Sequence, residues 1–195
     1  EICSWVRPHI AVITGIAPVH LERMKNLENI LDAKSEIVEL TGSVVINGDD
    51  ELLLNQARLW TNQKIVYDCS TTSKQAIVFV DYQDGEHHIY VKGKLISKVT
   101  APELLQLSIA LSTGVLLALD LDVVEYLSDI VSLEKTSHRQ TVIESDLGHK
   151  IIDNSFNSNP MGIEYALKLL DIEGDEKSLK YLVTPGMIEL GNDQF

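Results

Sequence analysis

The apolar run Ile10-Ala11-Val12-Ile13, closed at once by Thr14-Gly15, narrows the possible folds of this chain more than any other feature. It shows no polar alternation and contains β-branched residues, as a strand does when a parallel sheet is covered on both faces. Ligands of open α/β sheets bind beyond the carboxyl ends of the strands, so Thr14, Gly15 and the loop to His20 fall where a substrate phosphate or a metal would lie. A helix begins near Leu27. Its Leu27, Ile30, Leu31, Ala33, Ile37 and Val38 make an apolar stripe at helical spacing, and Lys34 rides on the same element. Taken singly, a loop histidine is more often structural than a ligand, and a helix lysine usually sends its amine to water.

The rest of the chain supports an α/β reading. Glu1 to Val6 reads as the end of a helix broken by Arg7-Pro8. Thr41-Gly42 makes a turn, Val44 to Ile46 a second buried strand, and Gly48-Asp49-Asp50 opens a helix from Glu51 to about Trp60, with both aspartates suited to its N-terminus. Lys64 to Asp68 is a third strand. Ala76 to Tyr82, Glu86 to Lys92 and Lys94 to Val99 look antiparallel, with turns at Asp84-Gly85 and Lys92-Gly93. His87 and His88 are neighbours on a strand and point to opposite faces, a poor metal site, and no function is assigned to them. Pro102 opens a largely buried helix covering Leu104 to Leu119, and a second helix runs from Val123 to Val131. The polar stretch Leu133 to Gln140 is the best linker, which puts a domain boundary near Glu134. Strands at Thr141 to Glu144 and Lys150 to Asp153 follow, then a helix from Met161 to Leu170 and a strand beginning at Tyr181.

Sixteen basic and 29 acidic residues leave a formal charge of −13, which argues against a nucleic-acid-binding surface. A hydrophobic content of 45% permits a real core. Cys3 and Cys69 lie far apart without CxxC spacing, so neither a disulfide framework nor a zinc site is indicated, and a reducing cytoplasm is the default. The apolar region Leu107 to Leu121 is interrupted by polar residues and is shorter than the roughly 20 residues a bilayer requires. No signal peptide is expected. A start at Glu1 rather than Met reads as a fragment or a processed chain.

Several motifs fall in one order: Thr14 and His20, Ala33-Lys34-Ser35-Glu36-Ile37, Asn47-Gly48-Asp49-Asp50, Asp153-Asn154-Ser155-Phe156-Asn157-Ser158-Asn159-Pro160 and Gly186-Met187-Ile188-Glu189-Leu190-Gly191. This series resembles the Mur ligases, most closely the type that adds D-alanyl-D-alanine to a UDP-muramoyl-tripeptide. The Asp153 to Pro160 stretch is the most specific match. Gly15 stands where the family pattern has Asn, Asn154 where it has a second Asp, and Glu103 to Ile109 where it has an asparagine-bearing helix. The family's Gly-rich phosphate loop does not occur in this sequence.

The resemblance implies a fold and a chemistry. Residues 1–134 would be the latter part of a central P-loop-type ATPase domain with an antiparallel β section, lacking its P-loop, and residues 135–195 the start of a Rossmann-like C-terminal domain. It implies that His20 coordinates magnesium and that Lys34 is carbamylated by carbon dioxide, turning a cation into a carboxylate-like metal partner. Magnesium prefers oxygen ligands, so His20 is named by the resemblance alone. Arg139 would present its planar fork to ATP phosphate, with Asp153, Asn157 and Asn159 in the nucleotide-binding set. Asn157 and Asn159 also suit the turn before Pro160, and Asp49 and Asp50 have a second reading beside nucleotide. The implied activity is ATP-dependent joining of an amino acid or dipeptide to a UDP-muramoyl-peptide-like acid through an acyl phosphate, in peptidoglycan precursor synthesis or a related pathway. From a non-enzyme class, the competing expectation is a catalytically degenerate homologue acting as a binding or interaction module. The 195 residues alone are expected to be inactive.

Overall fold

The computed structural model describes residues 5–18, 21–132, 141–155, 160–175, 177–184 and 186. In chain order the elements are β1 (Ile10–Ile13), α1 (Leu21–Met24), α2 (Leu27–Glu39), β2 (Ser43–Asn47), α3 (Glu51–Trp60), β3 (Ile65–Ser70), β4 (Val78–Gln83), β5 (Glu86–Val91), β6 (Lys94–Thr100), α4 (Gln106–Ala118), α5 (Val123–Ser132), β7 (Thr141–Glu144), β8 (Lys150–Asp153) and α6 (Pro160–Glu173). They belong to two compact units, one of Glu1–Ile16 with Glu28–Leu133, the other of Ala17–Leu27 with Glu134–Phe195.

The first unit is an α/β layer structure. Its six strands lie in the order β1-β2-β3-β4-β5-β6, parallel from β1 to β4 and antiparallel from β4 to β6. Helices α2 and α3 make the crossovers between the first three strands, as parallel neighbours require. The join from β3 to β4 is also parallel, yet only seven residues long. It can be short because the two strands overlap at just two pairs, Cys69 with Val78 and Ser70 with Phe79, so the chain has almost no strand length to retrace.

Alternation along the strands sorts the core into two layers. Val44 and Ile46 pack with Ala11, Ile13, Leu31, Val38, Leu53 and Ala57 beneath α2 and α3. Val45, between them, faces the other way and joins Cys69, Val78, Val80 and Ile89 beneath α4 and α5. All three β2 residues are fully buried, as a strand in mid-sheet should be. β1 differs from its expectation: Val12 is 41% exposed, because α4 lies chiefly over β2, β3 and β4 and covers β1 less, although Ile10 on the same face still packs against that layer. Where α4 crosses the sheet it comes very close. A Cβ on Gly114 would sit 2.6 Å from Cys69 Sγ and 2.8 Å from Val45 Cγ1.

Both β hairpins of the first unit turn in two residues, Asp84-Gly85 and Lys92-Gly93, at φ values of 52° and 85° and of 50° and 75°. Positive φ at both central positions matches the right-handed twist of the flanking strands and explains the glycines. His87 is fully buried, with Nε2 3.1 Å from the Pro102 carbonyl oxygen, whereas His88 lies 3.8 Å from Glu86. The pair does point to opposite faces.

Other boundaries moved. Trp5 to Pro8 form no helix, in keeping with the bias of a residue before proline against the α region. Ala76 and Ile77 belong to the turn before β4, and a 3-10 turn, Glu103–Leu105, precedes α4. In the second unit β7 and β8 form an antiparallel hairpin, and α6 starts at Pro160, whose fixed φ suits a first helical position. Among the described residues the strand expected from Tyr181 does not form: Tyr181 to Thr184 are exposed and irregular, and a strand needs a paired neighbour. The expected linker, Leu133 to Gln140, lies outside the described residues. Among the described residues no helix is long and apolar enough to cross a membrane.

Candidate functional site

Parallel pairing brings the carboxyl ends of β1, β2 and β3 to one edge of the first unit, and the polar residues gather there. After β2 the chain makes the tight turn Asn47 to Asp50. The Asn47 side-chain oxygen accepts the Asp49 amide at 2.9 Å, and the Gly48 amide donates to the Cys69 carbonyl at 2.7 Å. Asp50 is the N-cap of α3: its Oδ1 accepts the Leu53 amide at 3.0 Å. Its other oxygen accepts the Ile16 amide, from the backbone after β1, at 2.5 Å.

Lys34 reaches the same place from α2. Its Nζ donates to the Gly15 carbonyl at 2.6 Å. Burial disfavours the ammonium form and the nearby Asp50 charge opposes that, leaving the pKa of Lys34 below its ordinary value. An amine with a lowered pKa holds a larger neutral, nucleophilic fraction than a lysine at its ordinary value. A Cβ at Gly15 would stand 3.6 Å from Asp50 Oδ2 and 3.8 Å from Asn47 Nδ2, so the side chain that the family pattern carries at this position would face the same group of atoms.

Asp49, expected to cap α3 with Asp50, does something else. Its carboxylate accepts the Thr71 amide at 2.7 Å, the Thr71 hydroxyl at 2.8 Å, the Thr72 hydroxyl at 2.7 Å and the Ser70 hydroxyl. One carboxylate thus holds the β3–β4 loop to the β2–α3 turn. Desolvation works against its ionisation, but the hydrogen bonds from Ser70, Thr72 and Thr71 together outweigh it, and its pKa lies below the ordinary value. Sequence reasoning passed over the run Ser70-Thr71-Thr72-Ser73. Four successive hydroxyl residues, the first ending β3, were the available signal.

Of the catalytic, metal-binding and nucleotide-binding residues that the resemblance names, Lys34 and Asp153 are described. Asp153 ends β8 in the second unit, where its Oδ1 accepts the Ser155 amide at 3.1 Å and the Ser155 hydroxyl at 2.7 Å. Asn154 Nδ2 donates to the Gly162 carbonyl at 3.1 Å, tying this turn to the first turn of α6. His20, Arg139, Asn157 and Asn159 lie outside the described residues. Among the described residues no three His, Cys, Asp or Glu side chains gather as a metal site. A surface cavity of about 610 Å³ lies between α2 and α3, lined by Asp32, Glu36, Glu39, Trp60, Gln63 and Lys64 among others. Ala33 and Ser35 also line it, whereas Lys34 does not.

A parallel sheet whose carboxyl edge holds an Asn-Gly-Asp-Asp turn and receives a lysine from α2 defines a class. Residues 1–105 match the Mur ligase middle domain, and the chain belongs to that family. Among named relatives, it is 28% identical over 193 residues to the UDP-N-acetylmuramoyl-tripeptide D-alanyl-D-alanine ligase of Bacillus subtilis, covering 95% of this chain and 41% of that protein. The same ligase of Rickettsia prowazekii is 28% identical over 207 aligned positions, 98% of this chain and 44% of that one. The chain therefore spans about two fifths of the length of these curated relatives. Among solved structures, MurF from Acinetobacter baumannii superimposes with a TM-score of 0.81 at 21% identity, over 97% of this chain and 42% of that one. MurF from Thermotoga maritima in complex with ADP gives 0.74 at 22% identity, over 99% and 45%. At such identities the likeness establishes the fold.

Proposed function

We propose that this chain is the ATPase-domain and C-terminal-domain portion of an ATP-dependent ligase of peptidoglycan precursor synthesis, one that joins D-alanyl-D-alanine, or a related dipeptide or amino acid, to the carboxylate of a UDP-muramoyl-peptide-like acid. The observation that carries this reading is the Lys34 amine, anchored to the Gly15 carbonyl at 2.6 Å and with a lowered pKa at the carboxyl edge of parallel strands. The relatives' names supply the two compounds joined, a UDP-N-acetylmuramoyl-tripeptide and D-alanyl-D-alanine; the route implied by the family resemblance is phosphorylation of the acid by ATP to an acyl phosphate that an amino group then attacks. UDP-linked substrates of this kind fit a cytoplasmic site of action.

The residues divide the work. Lys34 as a free ammonium would repel a divalent cation. When its neutral amine adds to carbon dioxide, a new N–C bond forms, one proton leaves, and the carbamate offers the oxygen donors that magnesium prefers. Magnesium, when bound, neutralises charge on the transferred phosphoryl group, and His20 with carbamylated Lys34 would hold it. Arg139 would pair with phosphate oxygens as a planar fork. Asp153, Asn157 and Asn159 would contact nucleotide from the turn before α6. Thr14, Gly15 and the Asn47-to-Asp50 turn shape the edge against which the phosphates lie. Catalysis of this type rests mainly on positioning and charge neutralisation.

The test is a search for the carbamate. With ¹³C-labelled bicarbonate, a carbamate resonance is expected that disappears in Lys34→Ala. In the whole protein Lys34→Ala should lower activity by about 10- to 100-fold, and short carboxylates should restore part of it. A magnesium-bound, active whole enzyme whose Lys34 is unmodified would sink the assignment.

A further inference from the structure

The two oxygens of Asp50 serve two segments at once. Oδ1 caps α3 at the Leu53 amide, 3.0 Å away, and Oδ2 takes the Ile16 amide at 2.5 Å. Ile16 follows Gly15, whose carbonyl receives the Lys34 amine at 2.6 Å. The peptide unit between Gly15 and Ile16 is therefore gripped from both sides, its N–H by Asp50 and its C=O by Lys34. A peptide group is planar, so fixing the N–H fixes the direction of the C=O across the same bond. An ordinary N-cap needs one acceptor oxygen and would leave the second to water. Here the second is spent 34 residues back in the chain.

We propose that Asp50 is a positioning residue for Lys34: through the Gly15–Ile16 peptide it sets where the lysine amine stands, a role separate from its capping of α3. This rests on the reading of Lys34 as the reactive amine of the site. The charge of Asp50 also acts on Lys34 directly, opposing the effect of burial. A longer or shorter acceptor would break the arrangement. Serine caps helices about as well as aspartate, but its hydroxyl is short and single and cannot serve Leu53 and Ile16 together. Asparagine keeps the size and has one acceptor oxygen in place of two.

Amide hydrogen exchange on the full chain separates the two roles, because Leu53 and Ile16 each report on one oxygen. In Asp50→Ser the Leu53 amide should stay protected within about threefold while the Ile16 amide exchanges at least tenfold faster. In Asp50→Asn one of the two amides should lose protection by at least tenfold and the other keep it. Competitive labelling of lysines with a small acylating reagent supplies the readout that a purely structural cap would not move. Lys34 should label at least threefold faster in both variants, with Lys64 as the internal reference. Unchanged Ile16 exchange and Lys34 labelling in Asp50→Ser would overturn the proposal, as would equal loss of protection at both amides. The carbamate measurement is independent of these, so failure of the Lys34 reading and failure of the Asp50 inference give different patterns.

Discussion

Gly114 shows how one missing methyl sets the distance between two layers. The position lies in mid-helix, where alanine ordinarily stabilises by about 1 kcal/mol over glycine. A Cβ here would meet Cys69 Sγ at 2.6 Å and Val45 Cγ1 at 2.8 Å, both on the buried floor of the sheet. Overpacking of this sort costs about 1–3 kcal/mol, so the clash outweighs the propensity gain. We expect Gly114→Ala to be destabilised by about 1–2 kcal/mol in urea unfolding, and the penalty to shrink when Cys69→Ala removes the nearer atom, a non-additive pair. Cys69 itself is inert for a related reason. Burial, then the Asp68 charge, pushes its thiol from 9.0 up to about 12. With the folded value raised, the native state retains a proton that the unfolded chain releases. The contribution to stability is complete below 9.0 and is lost as pH rises from there toward about 12. Iodoacetamide near neutral pH should leave Cys69 unmodified in the native chain and alkylate it in urea; rapid native labelling would contradict this placement.

At the scale of elements, the short parallel join between β3 and β4 depends on Asp49. The loop has too few residues to cover its own backbone groups, and the Asp49 carboxylate takes up two hydroxyls and an amide from Thr71 and Thr72. The Asp49 side chain is exposed, so water replaces some of what is lost on mutation. Asp49→Ala should cost about 2 kcal/mol and speed amide exchange at Thr71 more than at Val80. Because its folded pKa is depressed, the carboxylate's contribution is present above 3.8 and is lost as pH falls through the lower folded value. Urea midpoints of the parent and Asp49→Asn should therefore differ by a constant amount at mildly acidic and neutral pH and converge at lower pH. A gap that persists in strong acid would show that Asp49 acts by shape rather than by charge.

For the whole molecule, the two units and the net charge lead to separate expectations. Limited proteolysis should cut first between Leu133 and Gln140, the polar stretch at the junction of the units, whereas early cleavage inside α4 would contradict that division. The chain of 195 residues should bind magnesium-ATP weakly, since its charge is −13 and its sequence contains no Gly-rich phosphate loop. Calorimetry should give a Kd above about 1 mM, worth roughly 4 kcal/mol. Saturable micromolar binding, lost in Arg139→Ala, would show that these residues hold nucleotide without that loop.

What the sequence determined by itself was local and periodic. The apolar runs at Ile10 and Val44, the helical stripe around Lys34, the glycine-bearing hairpin turns and the order of the motifs were enough for the α/β class and the family, because each depends on neighbours a few residues apart. Val12 was read as buried and is not, since its cover depends on where a helix more than ninety residues later comes to lie. Tyr181 to Val183 have the composition of a strand, but a strand exists only through its partner. Asp49 and Asp50 looked like two caps in one turn. Only the tertiary structure could separate them, sending one carboxylate to Thr71 and Thr72 and the other to Ile16, because hydrogen bonds between residues 22 to 34 positions apart depend on which loops the sheet brings to the same edge.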